Sequence, residues 1–330
     1  MAGTTQLNYS IEELKNQVEF LRLELKSGKH ENVYNENPLE RPFTLINLPS
    51  KGLYYPNKNS SIMVRYLTYY EENVLIDEFL MNSGKGMEFV LDSIIVDKDF
   101  DKSLLLPGDV QALSLFLRST SYGDKIEPEM ECPKCHKKSV SEYYLSSFKM
   151  KDNIAKPNEN GELSYVIKKT NVEVVFKIPT YWENKKIKGL KHLEKMMYQI
   201  VRVGNKTDKK DIYKFLHTMN VLDNRRLRKY MQVNSPGVYA NFEYHCLSCG
   251  NNTENSFDGD YEFLSLPSVH KKNMLEEVFL LTYYGKGVSR QDALKMPVTE
   301  RKWHINRISE EIEKKNEAER RAQQKAKNGR

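Results

Sequence analysis

The chain has 330 residues, of which 39% are apolar and 29% are charged, and a formal net charge of +6. This size and apolar content suit one large folded domain or two ordinary ones, and the absence of eighteen successive apolar residues excludes a membrane-spanning helix. The first residues lack the composition of a signal peptide, so we expect a reducing compartment. Positive and negative residues alternate along most of the chain, and the mild net charge therefore does not argue for nucleic-acid binding.

The first predicted element is a helix within residues 1–32. Ser10 and Glu13 form a capping box at its start. Its apolar residues follow the alternating three-and-four spacing of a short coiled coil: Ile11, Leu14, Val18, Leu21 and Leu25. Two heptads do not decide between self-association and docking on the protein's own body, so both remain open.

Residues 33–268 are predicted to form a mixed α+β body of helices and short β-hairpins. Alternating apolar and polar residues predict strands at 43–48, 61–68, 163–168 and 172–178. Apolar residues at helical spacing predict two helices within 70–101 and further helices at 110–117, 182–201 and 209–219. Asp109 is predicted to cap the helix at 110–117.

Residues 269–330 are predicted to form a helical C-terminal arm with a charged tail. Trp303, Ile305, Ile308 and Ile312 recur at helical intervals, so this part is expected to dock on the body or on a neighbouring protein. Beyond Ile312 the only apolar residues are alanines, which bury little area. We therefore expect the final eighteen residues to fray until a partner orders them.

The four cysteines of the chain form two Cys-x-x-Cys units, Cys132 with Cys135 and Cys246 with Cys249. Each unit directs two thiolates towards one point, and two units complete the tetrahedral sulfur shell that suits Zn²⁺. No cysteine is left over, which strengthens the pairing. The sequence therefore predicts a structural zinc site that clasps two distant parts of one body.

Other interpretations of the cysteines remain open. Cys-x-x-Cys is also the motif of thioredoxin-type redox dithiols, and the thiols are able to form disulfides in an oxidising compartment. His136 and His245 each lie beside a cysteine and are able to replace one sulfur ligand.

The sequence offers little that predicts catalysis. It contains no Gly-x-Ser-x-Gly and no His-Glu-x-x-His motif, and its histidines are scattered. A metal site closed by four sulfurs holds structure rather than activating water. We therefore predict a protein that is not an enzyme.

Several features together carry a resemblance to a known family. They are Leu48-Pro49-Ser50-Lys51-Gly52 followed by Tyr54 and Tyr55, the block at 104–123, Cys132-Pro133-Lys134-Cys135-His136, and the later Cys-x-x-Cys. Over residues 43–265 the sequence resembles the baseplate proteins of T-even-like contractile-tailed bacteriophages, the group tied to the baseplate hub and its assembly. The segment at 279–308 also looks like the helical tails of phage tail-associated proteins.

The resemblance implies a non-enzymatic tail component that sits in the baseplate or helps the hub to assemble. It implies other tail and baseplate hub proteins as partners, and a location in the virion tail or, during assembly, in the host cytoplasm. The alternative is a zinc-ribbon nucleic-acid-binding regulator that contacts phosphates through the lysines at 185–195 and the basic residues at 225–229.

Overall fold

Short strands and helices alternate through the computed structural model, which describes residues 42–152, 154–239, 241–256 and 270–328. The strands are β1 (Phe43–Asn47), β2 (Ser61–Arg65), β3 (Lys125–Ile126), β4 (Glu129–Glu131), β5 (Lys138–Val140), β6 (Tyr143–Tyr144), β7 (Lys149–Met150), β8 (Glu162–Ile167), β9 (Val172–Lys177), β10 (Ile200–Val203), β11 (Val238–Tyr239), β12 (Asn241–His245) and β13 (Asn252–Ser256). The α-helices are α1 (Tyr69–Leu75), α2 (Glu78–Ser83), α3 (Lys85–Ile94), α4 (Pro107–Tyr122), α5 (Tyr181–Ile187), α6 (His192–Gln199), α7 (Lys209–Thr218), α8 (Val221–Asn234), α9 (His270–Tyr284), α10 (Arg290–Lys295) and α11 (Val298–Asn328).

The strands of the described chain pair only in small antiparallel sheets. β8, β9 and β10 form a three-stranded sheet with β9 in the centre. The other pairs are β1–β2, β3–β6, β4–β5, β7–β11 and β12–β13. Because helices are mixed with short antiparallel hairpins, the predicted α+β class is confirmed.

The β1–β2 hairpin packs on α1, α3 and α4 around the largest hydrophobic core. Its buried side chains include Ile62, Val64, Leu91 and Leu113. Three helices occupy the region in which the sequence predicts two, because α1 ends before Asp77, which caps α2. Gly84 separates α2 from α3 in the left-handed region, with φ of 82°. Glycine adopts this conformation without steric cost, so the chain is able to turn at this residue between the two helices.

Asp109 has a different role from the predicted one. Helix α4 begins at Pro107, and Leu106 occupies the capping position, so the prediction that Asp109 caps the helix is wrong. The Asp109 carboxylate is buried instead, where it accepts hydrogen bonds from the Ser50 amide at 2.9 Å and from the Tyr55 hydroxyl. It therefore ties the Leu-Pro-Ser-Lys-Gly turn to the first turn of α4.

The sheet of β8, β9 and β10 forms a second core with α6, α7 and α8. The buried side chains include Phe176, Ile212 and Leu227. The single helix predicted over 182–201 is wrong: α5 ends at Ile187, α6 begins at His192, and Ile200 starts a strand. Ile200 pairs with Phe176 of β9, and this pairing overrides the helical spacing of the apolar residues.

The three C-terminal helices pack on one another and on the body. Val278 and Leu281 of α9 contact Ile305 and Ile308 of α11 in a small apolar cluster. The amide of Val298 donates to the carbonyl of Leu67 at 2.8 Å, so the start of α11 docks on the body. From residue 313 to residue 325 every side chain of α11 is exposed.

An ion-pair network fixes this docking. The Arg301 side chain is fully buried, and its guanidinium contacts the carboxylates of Glu72 on α1 and, at 2.6 Å, of Glu277 on α9. Glu72 also accepts from the Tyr122 hydroxyl at 2.6 Å. Burial acts to raise the pKa of Glu72, whereas the hydrogen bond from His270 and the positive charge of Arg301 act to lower it. The lowering effects are larger together, so the pKa lies below its usual value.

The described residues between 42 and 328 belong to one compact unit. The predicted division of the chain into a body at 33–268 and an arm at 269–330 stays a prediction. The predicted heptad helix within residues 1–32 lies outside the described residues. No helix of the described chain is long and apolar enough to cross a membrane.

Candidate metal centre

Both Cys-x-x-Cys units lie in the turns of β-hairpins. The β4–β5 hairpin carries Cys132 and Cys135, and the β12–β13 hairpin carries Cys246 and Cys249. In the first, the Cys132 amide donates to the Lys137 carbonyl at 3.0 Å. A pair of short strands buries little area by itself, so each hairpin depends on contacts outside its own two strands.

The two turns close with the same backbone pattern. The Cys246 amide donates to the Asn251 carbonyl at 2.9 Å, which matches the bond in the first turn. The residue after each second cysteine then donates to the carbonyl of the first cysteine, at 2.9 Å from His136 and at 2.9 Å from Gly250. Both of these residues have positive φ, 56° and 68°. The two hairpins therefore repeat the same cysteine-bearing turn.

The structure brings all four predicted sulfur atoms together. The Sγ atoms of Cys132, Cys135, Cys246 and Cys249 all lie within 4.8 Å of one another. Cys132 and Cys249 are 3.7 Å apart, and Cys135 and Cys246 are 3.6 Å apart. A disulfide has a sulfur separation of about 2.05 Å, so these thiols are not bonded to one another.

This spacing fits a tetrahedral metal. Four sulfurs bonded at about 2.3 Å to a central zinc ion are separated from one another by about 3.8 Å. The two measured pairs lie close to this separation. The donor set of four thiolates matches structural zinc, and it leaves no open position for water.

Backbone amides donate to the sulfurs of two of the cysteines, Cys246 and Cys132. Burial acts to raise the pKa of the Cys246 thiol, but the amides of Cys249 and Ser248 donate to its sulfur and the pKa falls to about 6. The Lys134 amide likewise donates to the Cys132 sulfur at 3.4 Å. Such donors stabilise the thiolate, which is the form that binds a metal.

Neither histidine beside the cysteines belongs to the cluster. The Nδ1 atom of His136 is 2.9 Å from a carboxylate oxygen of Glu131, and the Nδ1 atom of His245 is 2.5 Å from the side-chain oxygen of Asn252. The structure therefore favours four sulfur ligands over a shell that includes imidazole. The structure also argues against a thioredoxin-type redox site. A low-pKa redox cysteine typically lies at the start of a helix, whereas these cysteines lie in hairpin turns.

Direct contacts also join the two hairpins beside the sulfurs. The hydroxyls of Ser139 on β5 and Tyr244 on β12 are 2.8 Å apart. Next to this contact, the ring of Tyr143 on β6, outside the first hairpin, lies 4.4 Å from the ring of Phe242 on β12, measured between centroids. Tyr244 is buried against Cys132 and Cys246. The sequence shows aromatic residues beside the second knuckle, but it does not reveal which residues of the first hairpin they meet.

Comparison with known proteins identifies a family for about two thirds of the chain. A family model described as T4 bacteriophage base plate protein matches residues 44–265. No curated protein and no solved structure matches the chain. The matched segment contains both knuckles and ends before α9.

Proposed function

The chain belongs to the T4 bacteriophage base plate protein family and is a component of the phage tail baseplate, and we propose that it acts without catalysis, through protein–protein contacts in the baseplate hub or its assembly. The observation that carries this proposal is the family match over residues 44–265, which include all four cysteines. The four-sulfur site supports a structural role, because a closed shell offers no position for a substrate.

The metal proposed for this site is Zn²⁺, with Cys132, Cys135, Cys246 and Cys249 as its ligands. When bound, the ion supplies a rigid cross-link between the two hairpins. The sulfur spacing and the amide donors around Cys246 support this assignment. Protein purified without chelator should contain one zinc per chain by elemental analysis, and a chain with no bound metal would contradict the assignment.

The hub role is tested by following the protein through infection. Cells infected with a phage that carries an affinity-tagged copy are lysed at intervals, and the lysates are sedimented through a gradient. We expect the chain to comigrate with hub or baseplate assemblies. Its presence in purified virions would identify a permanent component, and its presence in assembly intermediates alone would identify an assembly factor acting in the host cytoplasm. Migration only as a free protein would overturn the proposal.

Self-association through the predicted N-terminal helix is a further part of this proposal. Its heptad pattern supports a coiled coil. Deletion of residues 1–28 should lower the number of chains per particle, as measured by analytical ultracentrifugation, and leave the zinc content per chain unchanged. An unchanged number of chains per particle would favour docking of the helix on its own chain.

The nucleic-acid alternative has one supporting observation. Arg225 and Lys229 are exposed on α8, as a phosphate-binding surface requires. The knuckle turns themselves offer little for base recognition, because Lys134 is the only cation at their Cys-x-x-Cys positions. Affinity for a 20-base-pair duplex that falls steeply with salt would support this alternative.

A further inference from the structure

Helix α8 has a solvent-facing surface that combines cations with aliphatic side chains. We call it the α8 face, and it consists of Val221, Leu222, Arg225, Arg228, Lys229 and Val233. Its aliphatic members are 86%, 55% and 47% exposed. The opposite side of the helix buries Leu227 and Met231 in the second core, so the orientation of α8 is fixed by packing.

The spacing along α8 places these residues in one row. Val221, Arg225 and Lys229 follow one another at intervals of four residues, which puts them on the same side of the helix. Aliphatic residues lie at both ends of the α8 face, and the cations lie between them. A row with this spacing forms a ridge of the kind that packs against a second helix.

The positive charge of the α8 face is not neutralised within the described part of the chain. The only acidic residue of α8 is Asp223, which is buried and lies 3.7 Å from Arg226. Among the described residues no carboxylate lies within 4.0 Å of Arg225, Arg228 or Lys229. These cations are therefore available to a partner.

The neighbouring helix α6 contacts the α8 face through His192. Arg228 donates to the Nε2 atom of His192 at 2.8 Å, which requires a neutral imidazole. Burial, the Arg228 charge and the Lys195 charge all lower the pKa of His192, in agreement with this geometry. Glu194 is the only acidic side chain of α6. It accepts a hydrogen bond from the Lys191 amide at 2.8 Å, as part of the helix cap.

We propose that the α8 face is the docking surface for an acidic amphipathic helix of another baseplate protein, an inference that rests on the proposed function. Carboxylates of such a helix neutralise Arg225 and Lys229, and its apolar seam covers Val221, Leu222 and Val233. A nucleic-acid backbone would use the cations alone and would leave the three aliphatic side chains in water.

The test reverses charge on the α8 face. Arg225→Glu with Lys229→Glu is introduced into the phage, and assembled baseplates are counted after gradient sedimentation. The matched control is Lys168→Glu with Lys169→Glu, which makes the same charge change at exposed positions beside the β8–β9 turn. We expect the α8 variant to lower the yield of baseplates at least ten-fold and the control to change it less than two-fold.

Folding is checked on the purified proteins by zinc content and melting temperature. If the reversal variant fails this check, Arg225→Gln with Lys229→Gln removes the charges without adding carboxylates, and we expect it to lower the yield at least three-fold. Second-site suppressors of the reversal are then selected. We expect these suppressors to replace Asp or Glu by Lys or Arg in another baseplate protein, within a segment whose apolar residues recur at helical spacing.

Two results would overturn the inference while the proposed function stands. In the first, the folded α8 variant gives an unchanged baseplate yield, and in a parallel infection the wild-type chain sediments with the assemblies. This result would show that the α8 face only contacts solvent. A lower yield together with at least ten-fold weaker binding of a 20-base-pair DNA duplex, and no charge-exchanging suppressor, would identify a nucleic-acid surface. A wild-type chain that never sediments with baseplate proteins would overturn the proposed function itself and this inference with it.

Discussion

The turn that contains Leu48-Pro49-Ser50-Lys51-Gly52 depends on a single glycine. Gly52 has φ of 71°, and a Cβ atom at this position would lie 2.4 Å from the Lys58 carbonyl oxygen. The obstructing atoms are backbone, which has no other rotamer to adopt. The glycine of this signature is therefore a steric requirement of the turn.

Replacement of Gly52 by alanine should destabilise the protein by about 3 kcal/mol or more, because backbone strain and a steric clash add. Gly161→Ala is the matched control: this glycine has φ of 73°, but its Cβ would meet nothing within 4 Å. We expect the control to cost about 1 kcal/mol from strain alone. Urea denaturation measures both, and equal losses would refute the steric argument.

The pKa of Asp109 gives a second prediction at this scale. Burial raises the pKa to about 6, against the opposing hydrogen bonds from Tyr55 and Ser50. An unfolded aspartate has a pKa near 3.9, so the folded protein holds the proton to higher pH. The stability from this proton is complete below about pH 4, declines as pH rises, and is lost above about pH 6.

Asp109→Asn removes this titration. A shift of about two pKa units corresponds to about 3 kcal/mol. The wild-type protein should therefore lose about this much unfolding free energy, relative to the variant, between pH 4 and pH 7. Asp99→Asn, at an exposed position, serves as the control. Parallel pH profiles of the wild type and Asp109→Asn, measured by urea denaturation, would contradict the assigned pKa.

Sequence reasoning at the residue scale correctly grouped the four cysteines and failed for Asp109. Two Cys-x-x-Cys units with no cysteine left over predict one four-sulfur cluster without any knowledge of the fold. The role of Asp109 depends on Ser50 and Tyr55, which lie 59 and 54 residues away in the chain. A local capping pattern contains no information about such partners.

At the scale of elements, the C-terminal helices show how a buried ion pair supplements apolar packing. The sequence pattern points to Trp303 as a docking residue, but its side chain is 62% exposed. Arg301 occupies the buried side of the same helix. Helical periodicity of apolar residues does not reveal a buried arginine, because its counter-ions come from α1 and α9.

Arg301→Ala should destabilise the protein by about 3–5 kcal/mol, since it leaves the buried carboxylate of Glu72 without its cation. Arg307→Ala on the same helix is the control, because Arg307 makes only exposed pairs with Glu310 and Glu311. The control should leave the melting temperature nearly unchanged. Calorimetry compares the two, and a similar loss for both would show that the buried network contributes little.

The end of α11 should behave differently from its start. No side chain between residues 313 and 325 is buried, so this part has only backbone hydrogen bonds and exposed ion pairs such as Arg321 with Glu317. A helix of this length without packing is marginal in water. We expect its amides to exchange within seconds in the isolated protein, whereas the amides around Arg301 stay protected.

Removal of residues 313–330 is the companion experiment for this helix end. It should leave the melting temperature within about 1 °C of the wild type, because the described side chains that it deletes, those of residues 313–325, are all exposed. Protection that extends through residue 325 in the isolated chain would contradict the prediction, as would a large loss of stability on truncation.

For the molecule as a whole, the sequence predicted the class and the meeting of the four cysteines but not the division into cores. Strand and helix patterns are local, so the hairpin of β8 and β9 was predictable. The pairing of β10 with β9 and the break between α5 and α6 depend on contacts that form only in the folded chain. The meeting of two knuckles more than 100 residues apart was predictable because two Cys-x-x-Cys units together supply the four sulfurs of a structural zinc site.

The cysteine hairpins form their own small cluster, separate from the two large cores. Cys132, Tyr244 and Cys246 are its buried members. The first core lies on β1 and β2, and the second lies on the sheet of β8, β9 and β10. We therefore expect loss of the metal to loosen the hairpins first and to leave the large cores folded.

Cys246→Ser tests this expectation, because it removes one of the four sulfur ligands. The zinc content should fall from one per chain to nearly zero, since three sulfurs do not close a structural shell. Amide exchange should then accelerate at least ten-fold within residues 129–140 and 241–256, while α4 and β9 keep their protection. Ser248→Ala, in the same turn but outside the cluster, should retain both zinc and protection. Full zinc content in Cys246→Ser would refute the ligand assignment, and loss of protection throughout residues 42–328 would show that the ion holds the entire fold.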